Sequence, residues 1–399
     1  MSAVTGILTA RTLGPEDRGT LALAVSVAGL CVLVGAAGTN VSVRRLLPRG
    51  AEGVSQRGYE RLSLKLLVPL MVILLGALIL LAGIIDSEFA DPAVAVAFFC
   101  FGVSYFLSNQ LLDLMNAHGW VSAAARTNAL GSIVCMVLVV LATILELGLV
   151  AMIYCYAVSV VVQVALAMSA VARTRTPGRT RGGQWALLTN GARLLGLNLG
   201  QSLTYRADTI LLGALSTPDS VGHYAVATTP AAILRLPANA LGQVSMHDVA
   251  SSAQHVRVTL RRVLILESIL IPVAGLGWVA GGWLIPFVYG SEFGTAVDAF
   301  RVLLLAELAL APFLVVSRVL AGGGSRLGAS VSGTVGAIVL LALCPFLIPP
   351  LGASGAAWAS VAAYGTMSLA SLAFLLSGAH HARNDADRAG RSNRGNSAG

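Results

Sequence analysis

Leu66-Leu67-Val68-Pro69-Leu70-Met71-Val72-Ile73-Leu74-Leu75-Gly76-Ala77-Leu78-Ile79-Leu80-Leu81-Ala82-Gly83-Ile84 contains no charged side chain and no alternation of polar with apolar residues. As a helix it is about 28 Å long at 1.5 Å per residue. The hydrocarbon core of a bilayer is about 30 Å thick. A membrane-spanning β-strand alternates over about ten residues, and this stretch does not. It is apolar on every face, as a helix surrounded by lipid must be.

Working outward, similar runs predict helices over 1–13, 20–43, 63–85, 92–115, 126–146, 149–172, 185–214, 220–246, 262–285, 298–321, 327–348 and 354–377. Composition agrees with that count. Of the 399 residues 56% are hydrophobic and 11% charged, whereas a soluble domain is about a quarter charged. A soluble core, a disordered chain and a disulfide scaffold are thereby excluded. The expected fold is an all-α polytopic membrane protein of about twelve transmembrane helices.

The net charge of +8 points to membrane orientation rather than to nucleic acid, because its distribution is asymmetric. Arg44, Arg45, Arg49, Arg57, Arg61 and Lys65 fall in one predicted loop, Arg173, Arg175, Arg179 and Arg181 in another, and Arg257, Arg261 and Arg262 in a third. Loops on the opposite side carry Glu16, Asp17, Asp86, Glu88, Asp91, Asp219, Glu292 and Asp298, with Arg11, Arg18 and Arg301 as their basic residues. Basic loops stay in the cytoplasm. Both termini are therefore expected there, in a multi-pass inner-membrane protein. Residues 1–10 lack the basic start of a cleavable signal peptide.

A repeat organises the chain. Pro15-Glu16-Asp17-Arg18-Gly19-Thr20-Leu21-Ala22-Leu23-Ala24 lies over Pro218-Asp219-Ser220-Val221-Gly222-His223-Tyr224-Ala225-Val226-Ala227, with Pro, Gly and two Ala coincident. At the same spacing Val41-Ser42 lies over Val244-Ser245, and Pro69 over Pro272. Six helices per half make the repeats parallel, related by an axis along the membrane normal. The expected divisions are 1–172, a six-helix bundle; 173–184, a basic cytoplasmic linker; 185–377, a second six-helix bundle; and 378–399, a disordered tail. The linker suits anionic lipid or serves only as a topology signal. The repeat also implies a longer first helix than 1–13, which reaches only about 20 Å. The start codon is then misplaced or the protein truncated.

The loops resemble a known family. Ala10-Arg11-Thr12-Leu13-Gly14-Pro15-Glu16-Asp17-Arg18-Gly19 is similar to the first outer loop of Wzx-type polysaccharide flippases, relatives of MATE drug exporters and lipid II flippases. Asp208-Thr209-Ile210-Leu211-Leu212-Gly213, Pro286-Phe287-Val288-Tyr289-Gly290-Ser291-Glu292-Phe293 and Ile348-Pro349-Pro350-Leu351-Gly352 resemble later turns of that family. The resemblance implies a flippase for a lipid-linked oligosaccharide, working by alternating access between two bundles. It also implies glycan polymerase or glycosyltransferase partners. An ion-coupled multidrug exporter is the alternative, and a non-transporting scaffold for glycan assembly a third.

Ionisable residues inside spans supply the candidate site, since they face a cavity or a partner. Arg193, Arg206 and Asp208 lie in the seventh predicted helix, Arg235 in the eighth, Glu267 in the ninth and Glu307 in the tenth. The repeat places Ala3, Thr5, Val32 and Leu64 opposite Arg206, Asp208, Arg235 and Glu267, so the scaffold itself does not require charge there. Arg235 is deepest and sits between Pro230 and Pro237, which loosen a helix. Arg193, Arg206 and Arg235 suit a pyrophosphate-linked carrier, because guanidinium forks match phosphate oxygens. Asp208, Glu267 and Glu307 are the candidates for a coupling proton or sodium ion. No nucleophile motif, P-loop or metal-spaced histidine pair is present, so neither catalysis nor a cofactor is expected. The five cysteines lie in apolar runs without C-x-x-C spacing and are expected to be reduced.

Overall fold

The computed structural model describes residues 3–50, 53–173, 183–249, 255–322 and 326–396. These residues are helical with short turns and contain no strand. The helices are α1 (Ala3–Gly35), α2 (Thr39–Leu46), α3 (Gln56–Leu80), α4 (Pro92–Ala117), α5 (Val121–Ile144), α6 (Leu149–Ala172), α7 (Gln184–Leu215), α8 (Pro218–Ala231), α9 (Arg235–Val249), α10 (His255–Tyr289), α11 (Ala296–Gly322) and α12 (Arg326–Asn396).

Local chemistry sets most boundaries. Asp91 caps α4 by accepting from the Ala93 amide, and Pro92 occupies the first turn, where no N–H is needed. Thr217 and Pro218 start α8 in the same way. Gly14, at φ 73°, kinks α1 between the first two expected spans. Gly352, at φ 54°, kinks α12 between the last two. Between Pro230 and Pro237 the chain tightens into a 3-10 turn at Ala232–Leu234, which separates α8 from α9.

Two boundaries differ from the sequence expectation. The second span ends at Gly35, and a separate helix, α2, follows from Thr39. Gly38, left-handed at φ 68°, makes the corner. The last helix is continuous to Asn396, beyond the 377 expected for the final span. Most of the basic linker lies outside the described residues.

Among the described residues, eight helical stretches are long and apolar enough to cross a membrane. The expected spans over 185–214 and 220–246 are helical but not in that apolar set, since they carry Arg193, Arg206, Asp208 and Arg235. On α3, Val68, Val72 and Ile79 are exposed; on α10, Leu264, Leu276 and Val279 are exposed. Outside a bilayer such surfaces would be costly, and inside one they face lipid. The interior is built around α1, α8 and α11, where Leu21, Leu23, Tyr224 and Phe313 are fully buried. One group packs α1 with α3, α4, α5 and α6; the other packs α11 with α8, α9, α10 and α12 and α12 with α7. The broadest contact between the groups is α1 against α8.

Candidate binding cavity

At one end of the molecule, here the acidic end, Glu88 has as electrostatic neighbours Asp17, Asp86, Glu16 and Asp91. The two copies of the Pro-x-x-x-Gly motif meet there. A methyl group at Gly19 would overlap the Pro218 carbonyl oxygen, and one at Gly222 would overlap that of Pro15. Each glycine thus lets the opposite backbone approach. Arg11 reinforces this seam by donating to the Phe287 and Val288 carbonyls, at 2.6 and 2.8 Å, in the last turn of α10. Those carbonyls have no partner within the helix, and a cation satisfies them.

Away from the seam, two cavities of about 400 and 610 Å3 adjoin at Ser202 and Tyr205. The first lies between α1, α4 and α7 and is lined by Ser26, Gly29, Asn40, Tyr105, Asn109, Gln110 and Arg206, among others. Gln110 is held in place by Tyr59, whose hydroxyl donates to Gln110 Oε1 at 2.7 Å, and by its own donation to Thr39 Oγ1 at 3.2 Å. The second lies toward the arginine-rich end and is lined by Arg45, Gln201, Ser317, Arg318 and Ser330, among others. Among the described residues, the linings of the two cavities include three arginines and no carboxylate.

Arg206 lies flat against α1 at Gly29, where any side chain would collide with its guanidinium. It has no hydrogen bond or ion pair among the described residues. Arg235 is placed differently. Its Nε donates to Glu307 at 2.6 Å, its Nη2 to the Tyr364 hydroxyl at 3.4 Å, and its guanidinium sits over the Tyr205 and Tyr364 rings at 5.2 and 5.7 Å. Neither cavity lining includes it; it touches the cavities only through Tyr205. Asp208 accepts from the Tyr224 hydroxyl at 2.7 Å within the core. Glu307 is buried beneath Arg235. Glu267 is half-buried on α10, with one carboxylate oxygen enclosed and unpartnered among the described residues. Arg193 is exposed on α7 and lines neither cavity. The structure therefore brings Arg206 alone, of the expected arginines, into the cavity.

Arg45, which the sequence marks only as a loop charge, joins it there together with Arg318. Both lie near helix ends, and nothing in their spacing marks them; the convergence of α2 with α11 is a tertiary fact. Among the described residues no group of three His, Cys, Asp or Glu side chains is arranged to hold a metal ion.

The family profile described as "Polysaccharide biosynthesis protein" matches residues 1–246. No curated protein matches the chain in sequence. Solved structures share the fold. An inward-facing MATE-family transporter of the MOP superfamily superposes with a TM-score of 0.79 at 16% identity, over 96% of this chain and 94% of that one. The lipid II flippase MurJ, in an inward closed conformation, gives 0.75 at 13% identity, over 92% of this chain and 83% of that one. An outward-facing MATE transporter gives 0.60 at 13% identity, over 96% of both chains.

Proposed function

The chain belongs to the polysaccharide biosynthesis protein family, and from that premise we propose that it is an inner-membrane flippase for a lipid-linked oligosaccharide or polysaccharide precursor. The observation that carries this reading is the cavity lining: arginine without carboxylate among the described residues. A sugar carried on a lipid diphosphate is anionic, and free guanidiniums recognise phosphate oxygens by charge and by their planar fork. An exporter of cationic drugs needs the opposite lining. Asp208, Glu267 and Glu307 are not among the cavity residues, which leaves that alternative without support from the site.

On this reading the two halves are parallel six-helix repeats that rock about the cavity. The acidic end faces outward and both termini are cytoplasmic, in keeping with the loop charges. The glycine seam is then the closed outer gate, and the cavities open toward the cytoplasm. The higher similarity to inward-facing than to outward-facing relatives supports that assignment. Arg206 holds the diphosphate, Arg45 and Arg318 attract it at the inner mouth, and Arg235 acts through Tyr205. Asp208, Glu267 and Glu307 are the groups available for a coupling proton or sodium ion. Glycan polymerase or glycosyltransferase partners would supply and use the cargo.

The test is transport of a fluorescent polyprenyl-diphosphate sugar in proteoliposomes. Wild type should move it across the bilayer, and a cationic dye should not compete. Competition by the dye, without movement of the lipid, would reverse the assignment in favour of the exporter.

A further inference from the structure

Arg18 is a buried cation that the cavity does not use. It is 3% exposed, and its Nε and Nη1 are enclosed with no hydrogen-bond acceptor among the described residues. It adjoins the seam, next in sequence to Gly19. Its electrostatic neighbours are the phenols of Tyr156 on α6 and Tyr289 at the end of α10. The Tyr156 hydroxyl is buried, with Thr5 and Thr9 as its polar neighbours, and the Nη2 of Arg18 lies beside Gly6.

The electrostatic neighbours named for Arg18 include no carboxylate, and Asp86 is engaged elsewhere: it accepts from the Thr20 hydroxyl at 2.6 Å and from the Glu88 amide at 2.9 Å. Other arginines in the helical body do find carboxylates, Arg235 at Glu307 and Arg44 at Asp113. Burying a guanidinium with open donors is unfavourable unless something neutralises it. The group that satisfies it carries negative charge and lone pairs. Phosphate oxygens do both and fit the fork.

Position adds a second argument. Gly29, against which Arg206 lies, is about 16 Å further along the same unbroken stretch of α1. Two unpaired guanidiniums therefore occupy different depths of one interface, Arg206 in the cavity and Arg18 beneath the outer seal. On the flippase reading, parting of the halves at Gly19 and Gly222 would uncover Arg18, which is buried while the seam is closed.

We propose that Arg18, with Tyr156, is an anion-binding station beneath the outer seam that receives a phosphate-bearing group after Arg206 releases it. The transfer rests on the flippase reading; the station itself requires only an anion, whether free phosphate or a lipid diphosphate.

The experiment is thermal unfolding of the purified full-length chain in detergent, with inorganic phosphate or a polyprenyl diphosphate titrated against gluconate at constant ionic strength. The unfolding midpoint should rise with inorganic phosphate in wild type. Arg18→Gln should weaken the apparent affinity about tenfold, and Tyr156→Phe several-fold. In gluconate alone Arg18→Gln should be no less stable than wild type, because it removes an uncompensated charge. Should Arg18→Gln fail to fold, Tyr156→Phe carries the comparison. Equal phosphate responses in wild type and in the variants that fold would overturn the station, as would no phosphate response in wild type. A phosphate response lost in the variants, with no response to polyprenyl diphosphate in any protein, keeps the station and sinks the flippase reading.

Discussion

At the residue scale, what separates the two central arginines is whether a carboxylate lies within reach. Arg206 has none among the described residues, so its removal costs binding and little stability. Arg206→Ala should reduce glycan export at least tenfold at normal protein level, and Arg206→Lys should recover part of it, since a point charge replaces a fork. Undiminished export by a well-expressed Arg206→Ala protein would dismiss it as a ligand. Arg235 is held by Glu307 and two tyrosine rings. Removing one member of a buried pair typically costs about 3–5 kcal/mol, whereas replacing both by apolar residues is often neutral. Arg235→Met should therefore lower the unfolding midpoint markedly, and adding Glu307→Leu should restore it. Export should stay low in the double variant, because Tyr205 loses its cation. If Arg235→Met melts with wild type while export is lost, the arginine contacts cargo directly. The depth of Arg235 and its flanking prolines were legible in the sequence. Its partner was not: Glu307 is on α11, and side-chain spacing within one helix cannot report a neighbour from another.

At the scale of elements, the seam sets two like turns against each other, Gly19 on Pro218 and Gly222 on Pro15, in a near-symmetric contact. Gly19 and Gly222 are needed for what they lack. Gly19→Val should hold α1 off Pro218 and shift the protein toward the outward-open state. In a background without the five native cysteines, a reporter Ser26→Cys in the cavity should then label faster with an impermeant thiol reagent added from outside. Unchanged labelling would mean that the seam is not the gate. The acidic loop beside it titrates in the same neighbourhood. Burial, and then the carboxylates of Asp17, Asp86, Glu16 and Asp91, hold the Glu88 carboxyl above its ordinary range. A raised folded-state pKa means that the folded protein binds the proton more tightly, so stability is gained as pH falls through that pKa. Glu88→Gln should thus raise the unfolding midpoint at pH 7.5, with the gain vanishing by about pH 4, near the unperturbed value. A gain of equal size at both pH values would contradict the repulsion. The charges of this loop were visible in the sequence as a topology signal, but their crowding depends on α1, α3 and α4 meeting at one end.

At the scale of the whole molecule, uniformly apolar segments such as 66–84 announce lipid-facing helices directly, whereas the kink at Gly14 is seen only in the structure. The two least apolar expected spans are more informative still, because their polarity follows from the interior they line. What could not be seen is which faces meet. Arg18 looked like a loop charge and is buried; Arg193 looked like a ligand and faces outward. Helical periodicity fixes a residue's angle on its own helix, not the identity of the opposing one. The proposed alternating access would make a demand on the assembled molecule that no single helix can satisfy: the seam at Gly19 and Gly222 would have to open in every cycle. Glu16 and Asp219 are exposed and immediately follow the two prolines that touch the opposite glycines. Replacing both by cysteine, in a background lacking the native five, places one thiol on each side of the seam. A short bifunctional thiol reagent should join them while the gate is shut. The joined protein should still bind a polyprenyl diphosphate from the cytoplasmic side, since the cavities lie beyond the seam, but it should not export. A reducible linker should restore export when cleaved. Transport at the wild-type rate through a fully joined seam would show that cargo crosses by another path, and the two halves would then be a rigid scaffold rather than rocking bundles.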